Sequence, residues 1–213
     1  MADELIDIFD EDMNLLGTAL KSQAHREGLW HKTFHCWLAQ KAPDDRVMLW
    51  LQLRDNTKDI FPNKLDISAA GHIKAGEEVK DAYREIEEEL GIKLNKDEIV
   101  KLFTDKEIYQ EGSINNREFQ MVYMAVVSGS PYKAILQPKE VSGLYSVDID
   151  EFADLLDGKL ESIEAKGVIR NPDSSYTMEF CSITKDDVAP HSRNYYNKAL
   201  NMIKRFVKNS NEE

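Results

Sequence analysis

The sequence predicts an α/β (α+β) chain in which a mixed β-sheet is held between helices. Three observations predict it. Aromatic and β-branched runs bounded by turn residues recur, as in 32–40 (KTFHCWLAQ), 46–54 (RVMLWLQLR) and 120–127 (QMVYMAVV). Residues 80–90 have a helix-forming composition, with Ala82, Tyr83, Ile86 and Leu90 on one stripe and Arg84, Glu85, Glu88 and Glu89 on or near another face. Residues 192–208 place Tyr196, Ala199, Leu200, Ile203, Phe206 and Val207 at helical spacing.

In chain order, 4–9 (ELIDIF) alternates apolar and acidic residues, and 10–14 supplies turn residues before LLGTALK, so the chain opens with a β-hairpin. The runs 32–40 and 46–54 pair as central strands across KAPDD, a turn with Pro43 and two aspartates. A polar loop, 54–64, carries Arg54, Lys58 and Lys64. The helix 80–90 ends at Gly91. Strands follow at 98–105 and 120–127, with a loop at 112–117 between them. Another strand is expected at 140–147, and 148–156 (DIDEFADLL) opens with capping aspartates as a short helix. The segments 165–170 and 176–183 flank NPDSS, a hairpin turn, and the helix 192–208 packs its apolar stripe on the core. Repeats and low-complexity linkers are absent, so one domain is expected over 1–213, with its core at 30–160 and an extension at each end.

Composition narrows the function. The 27 basic and 39 acidic residues leave a net charge of −12, which argues against a nucleic-acid backbone or an anionic membrane as main partner. Any phosphate must meet a local basic patch or a metal. Two cysteines, Cys36 and Cys181, lie far apart without metal-type spacing, and the acidic N-terminus has no apolar signal core. A soluble cytoplasmic protein is the expectation.

The stretch 68–92 carries the chemistry. Residues three and four apart are neighbours on a helix, so Glu85, Glu88 and Glu89 converge and repel unless a cation sits among them. A hard divalent ion suits oxygen donors. An acidic run is ordinarily just a solvated face, but solubility does not require the order found here. Gly71 and Gly76 bracket a short loop, Glu77 opens the helix, Arg84 precedes Glu85, and Gly91-Ile92 closes the run.

These residues resemble the Nudix box, G-x5-E-x7-R-E-U-x-E-E-x-G-U with U apolar. Gly71, Glu77, Arg84, Glu85, Ile86, Glu88, Glu89, Gly91 and Ile92 fill its specified positions. In one departure, six residues rather than seven separate Glu77 from Arg84, which touches the placement of Glu77 and leaves REIEEELGI intact. The resemblance implies a Nudix-type αβα sandwich and a metal-dependent hydrolase acting on a small-molecule diphosphate. It also implies Mg²⁺ or Mn²⁺ held by Glu85, Glu88, Glu89 and the Gly71 carbonyl, with Arg84 orienting a glutamate, and a homodimer, as Nudix relatives often form. Arg54, Lys58 and Lys64 are the expected phosphate-binding cations. The general base is one of the box glutamates, Glu118 or Glu140.

HREGLWHKTFHCWLA, with SAAGHI after it, is further similar to the Nudix branch of type I isopentenyl-diphosphate isomerases. That likeness implies a second metal site, suited to Zn²⁺ or Mn²⁺, from His25, His31, His72 and Glu118, with Asn116 where the isomerases have an acidic residue. Those enzymes place a catalytic cysteine before the box glycine, and this chain has Ala70; Cys36 lies in an apolar strand pattern as a small hydrophobe. Hydrolysis is therefore expected over isomerisation, the alternatives being an isomerase-like enzyme or an idle ligand-binding Nudix domain. Trp30, Trp37 and Trp50 are read as core rather than as stacking platforms.

Overall fold

The computed structural model describes residues 3–209, so the unit expected over 1–213 runs past the described chain at both ends. Eleven strands form one mixed sheet: β1 (Leu5–Phe9), β2 (Leu15–Leu20), β3 (Trp30–Lys41), β4 (Val47–Arg54), β5 (Leu65–Asp66), β6 (Ala69–His72), β7 (Ile99–Glu111), β8 (Ile114–Val126), β9 (Val141–Asp148), β10 (Ser162–Arg170) and β11 (Tyr176–Thr184). Among the described residues four α-helices accompany them: α1 (Lys21–Glu27), α2 (Arg84–Leu90), α3 (Ile149–Leu156) and α4 (Arg193–Asn209). No described helix is long and apolar enough to cross a membrane.

The sheet is organised on β3. One edge of β3 runs parallel to β8, with Thr33 opposite Gln120 and Leu38 opposite Ala125. The other edge pairs antiparallel with β1, β6 and β4 in succession. Side chains alternate across a strand, so Phe34, Cys36 and Leu38 join Trp50, Ile86 and Leu90 under α2. Trp37 and Ala39 point the other way, into a core with Leu49, Phe152, Leu200 and Ile203 under α3 and α4. Helices therefore cover both faces, as the pattern of strands and helices predicts. All three tryptophans are buried.

The opening hairpin, the β3–β4 pair and the β10–β11 hairpin form as expected. Asp148 caps α3 by accepting from the backbone N–H groups of Asp150 and Glu151. The apolar stripe of α4 buries Tyr196, Ala199, Leu200, Ile203 and Val207, while Phe206 stays 37% exposed.

Two expectations are corrected. The helix expected over 80–90 is shorter: Val79–Asp81 is a 3-10 turn, and Glu85 and Ile86 donate to carbonyls three residues back, so α2 begins only at Arg84. Glu77 thus lies in the approach loop and does not open α2. The segment 112–117 is mostly strand, because β7 and β8 pair out to Glu111 and Ile114 and leave only Gly112, at φ 57°, and Ser113 as the turn. Three short elements went unforeseen: α1, β5 and β6. Each is too brief for periodicity to register, and each is stabilised by neighbours rather than by propensity.

Truncating a fully buried stripe residue tests whether α4 is part of the core. Ile203→Ala should destabilise the protein by about 2–5 kcal/mol in urea unfolding, whereas a loss below about 0.5 kcal/mol would place α4 outside the cooperative unit.

Candidate active site

A cleft of about 690 Å³ opens over α2, β6 and the polar loop that follows β4. Gly71, Glu85, Glu88 and Glu89 share its wall with Arg54, Lys58, His25, His72, Glu118 and Glu140, which are distant in sequence.

The carboxylates owe their position to α2 packing on β6. Gly91, at φ 67°, ends α2 by donating its N–H to the Glu87 carbonyl. The apolar side of α2 is buried, which presses Glu89, 4% exposed, against the sheet. There its Oε2 accepts from the Ala70 N–H at 3.0 Å and from Gln52 Nε2 at 3.5 Å. Burial, then the neighbouring Glu85 charge, pushes the Glu89 carboxyl up to about 8. Burial likewise raises Glu85, against the pull of Arg84. The Glu85 carboxyl occupies the space over Gly71: a Cβ there would lie 2.4 Å from Glu85 Cδ and displace the carboxyl. Glu88, 47% exposed, stands at the mouth.

Arg84 binds no open position of the cleft wall. Its guanidinium donates to Glu85, to Glu88 Oε2 at 3.3 Å and to both Glu77 oxygens at 3.3 and 3.2 Å. Glu77 also accepts the Lys74 N–H at 3.0 Å, so the loop one residue short still delivers Glu77 to Arg84.

The donor set fits a divalent cation. The buried Glu89 and the partly buried Glu85, both raised toward protonation, stand beside a glycine backbone and have one cation between them, Arg84, which reaches Glu85 and not Glu89: oxygen donors with too little positive charge among them.

His25, His31 and His72 form a second group, with one ring nitrogen from each lying within 4.8 Å of the others. His25 Nε2 and His72 Nε2 are 3.1 Å apart and share a proton position. His31 Nδ1 donates to the Leu29 carbonyl at 2.9 Å, leaving its buried Nε2 without a partner. Burial lowers all three, His25 to about 4, so the rings are neutral, the state in which imidazole binds metal. Glu118 stands beside them, its Oε1 4.0 Å from His31 Nε2 and accepting from Asn116 Nδ2 at 2.7 Å. Burial alone would raise Glu118, but it is lowered overall, by His31 and His35 in the form in which those rings carry a proton and by the Asn116 bond.

The basic residues part company. Lys58 pairs with Glu140 in the cleft. Arg54 braces the polar loop through the Ile60 carbonyl and binds Asp66 Oδ2 at 3.1 Å, with its side chain on the cleft wall. Lys64 is corrected: its Nζ binds the Asp186 carbonyl, and it does not line the cleft.

Sequence reading missed His35, Asp66, Glu107 and His191, all on the cleft wall. One signal existed: His31, Thr33 and His35 alternate along an otherwise apolar strand and so face one side. His191 had none, since it lies between β11 and α4. Its Nε2 donates to Asp66 Oδ1 at 2.9 Å and its Nδ1 to Glu107 at 3.1 Å. Burial opposes its charge, but Asp66 and Glu107 outweigh burial and push it up to about 10.

Residues 30–168 match the NUDIX domain family. Over 203 residues the chain is 37% identical to an uncharacterised Nudix hydrolase of Clostridium acetobutylicum, covering 95% of this chain and 98% of that one. An isopentenyl-diphosphate Delta-isomerase of Serratia proteamaculans is 28% identical over 188 residues, 86% of this chain and 91% of that protein. A crystal structure from Deinococcus radiodurans superposes with a TM-score of 0.55 at 22% identity, covering 73% and 90% of the two chains, a likeness of fold.

The charge on His191 has a pH signature. Its folded value lies above the unfolded value of about 6.5, so its contribution to stability is complete below about pH 6.5 and is lost as pH rises through about 10. Urea unfolding should show His191→Gln costing most near pH 6 and progressively less toward pH 10. A cost that is flat or grows over that window would mean that the ring is neutral.

Proposed function

This chain belongs to the Nudix family and is a Nudix hydrolase, and on that premise we propose that it cleaves a diphosphate linkage in a small organic or nucleoside-diphosphate-linked compound, using Mg²⁺ or Mn²⁺. The observation that carries this reading is the placing of Glu85 and Glu89 against the backbone of β6 at the cleft wall, where Glu89 is buried without a basic side chain in ion-pair contact and Glu85 has only Arg84, which it shares with Glu77 and Glu88.

Glu85, Glu88, Glu89 and the Gly71 carbonyl would hold the ion. When bound it supplies neutralisation of phosphate oxygens and acidification of water. Arg84, itself held by Glu77, keeps Glu85 and Glu88 aimed together. Lys58 and Arg54 offer cations for the substrate's phosphates within the same cleft, and Glu140 or Glu118 can accept the proton of the attacking water. Lys64 is outside this set.

Ala70 favours hydrolysis over isomerisation. Its methyl group holds no proton to give to an alkene, and its N–H is occupied by Glu89. Cys36 offers no substitute, being fully buried in the core under α2 with its thiol pushed up by burial. A second metal site at His25, His31, His72 and Glu118, suited to Zn²⁺ or Mn²⁺, is supported by the neutral rings and the unpartnered His31 Nε2.

Released phosphate or monophosphate, measured over a panel of diphosphate compounds with Mg²⁺ and Mn²⁺, tests the reading. Glu85→Gln and Glu89→Gln should each lower turnover about a hundredfold or more while the protein stays folded. Gly71→Ala should also impair turnover, because its methyl group evicts the Glu85 carboxyl. Wild-type rates in Glu89→Gln would reject the assignment. Deuterium entering isopentenyl diphosphate from heavy water would restore the isomerase reading.

A further inference from the structure

The segment between β11 and α4 lies outside residues 30–168, yet it inserts His191 into the cleft wall. Its path is fixed by the backbone. The Ala189 N–H donates to the Leu65 carbonyl at 2.8 Å, and Tyr196 Oη donates to the Ala189 carbonyl at 2.7 Å. His191 therefore arrives beside Asp66, the residue after Leu65 on β5, and its ring lies against Tyr195.

What His191 meets there is a conflict within the sheet. Glu107 on β7 and Glu118 on β8 are in register, so the two carboxylates sit opposite each other on one face. Like charges so placed repel. Two groups keep them apart. The buried Gln120 amide donates to Glu107 Oε2 at 2.7 Å and to Glu118 Oε2 at 3.4 Å. His191 Nδ1 takes both oxygens of Glu107, at 3.1 and 3.2 Å, while its Nε2 is anchored on Asp66. Asp66 is in turn satisfied by Arg54 and by the Ile67 N–H at 2.8 Å. Glu118 is left to Asn116, to Thr33 Oγ1 at 3.2 Å, and to the side facing His31 and His35.

We propose that His191 is a positioning residue for the histidine site: by drawing Glu107 toward Asp66 it separates Glu107 from Glu118 and leaves the Glu118 carboxylate free to face the three histidines. The proposal rests on reading His25, His31, His72 and Glu118 as a metal site. Without His191, nothing holds Glu107 toward Asp66, and it crowds the Glu118 carboxylate opposite it in the sheet, turning Glu118 off the histidines. Partners that orient a metal ligand from outside its coordination sphere matter to affinity on the order of tenfold to a hundredfold.

Zn²⁺ binding to the full chain, read by competition with a chromophoric chelator, tests this, with His72→Ala marking loss of the histidine site. His191→Gln should weaken Zn²⁺ binding about tenfold. Glu107→Ala alone should bind as wild type does, and adding it to His191→Gln should return the affinity to within about threefold of wild type, since the repelling charge is then gone. A purely structural role for His191 would show no such rescue. Unchanged affinity in His191→Gln, or a double variant no better than the single, overturns the proposal and leaves the metal site standing. Wild-type binding no tighter than that of His72→Ala overturns the site and the proposal together. If His191→Gln does not fold, the comparison is Glu107→Ala against Glu107→Ala/His191→Gln: equal affinities support the proposal, and a tenfold difference overturns it.

Discussion

Two carboxylates buried against a strand backbone set the terms for the rest of the molecule. Glu85 and Glu89 are carried by a seven-residue helix whose apolar side is packed into the core, so they cannot retreat to solvent without unpacking α2. The sheet meets them with backbone: the Ala70 N–H at Glu89 and the bare Cα of Gly71 beneath Glu85. Isolated buried carboxylates are costly to ionise, and the raised values of both residues express that cost. A site that concentrates negative charge in low dielectric is stable as a charged site only with a cation. Arg84 supplies part of the compensation, and its bonds to Glu77, Glu85 and Glu88 turn three scattered side chains into one rigid group.

The same principle recurs across the cleft with different partners. Glu107 and Glu118 are forced together by strand register, and His191 and Gln120 divide them. Asp66 is held well below the usual carboxylate range because His191 and Arg54 outweigh its burial. The cleft is thus a set of buried charges, each assigned a counter-group by the fold. Where the counter-group is a side chain the arrangement is closed; Glu89 and the histidine trio, which face the opening without one, are the groups proposed to hold metal.

Family membership alone would leave two reactions open, because the histidine trio accompanies isomerase-like relatives and the glutamate trio accompanies hydrolases. On the proposed reading, Ala70 separates them. Ala70 sits beside the box glycine with no titratable atom, and Cys36, one strand over, faces the core.

Most of the longer strands, the two main helices of the C-terminal half, the box glutamates with Gly71 and Arg84, and the histidine trio were legible in the chain. Alternation, helical spacing and motif order are local properties, and local sequence states them. The length of α2, the strands hidden in 112–117, and the brief α1, β5 and β6 were not legible, because hydrogen bonds to distant segments decide whether so short a stretch is regular. So the sequence by itself determined which residues carry charge, which faces are apolar and which family's chemistry is present. Only the tertiary structure decided that Lys64 binds the Asp186 carbonyl, that Glu107 opposes Glu118, and that His191 reaches Asp66 across 125 residues. The physical reason is that an electrostatic partner is chosen by distance in space and by burial, and neither is encoded by spacing along the chain.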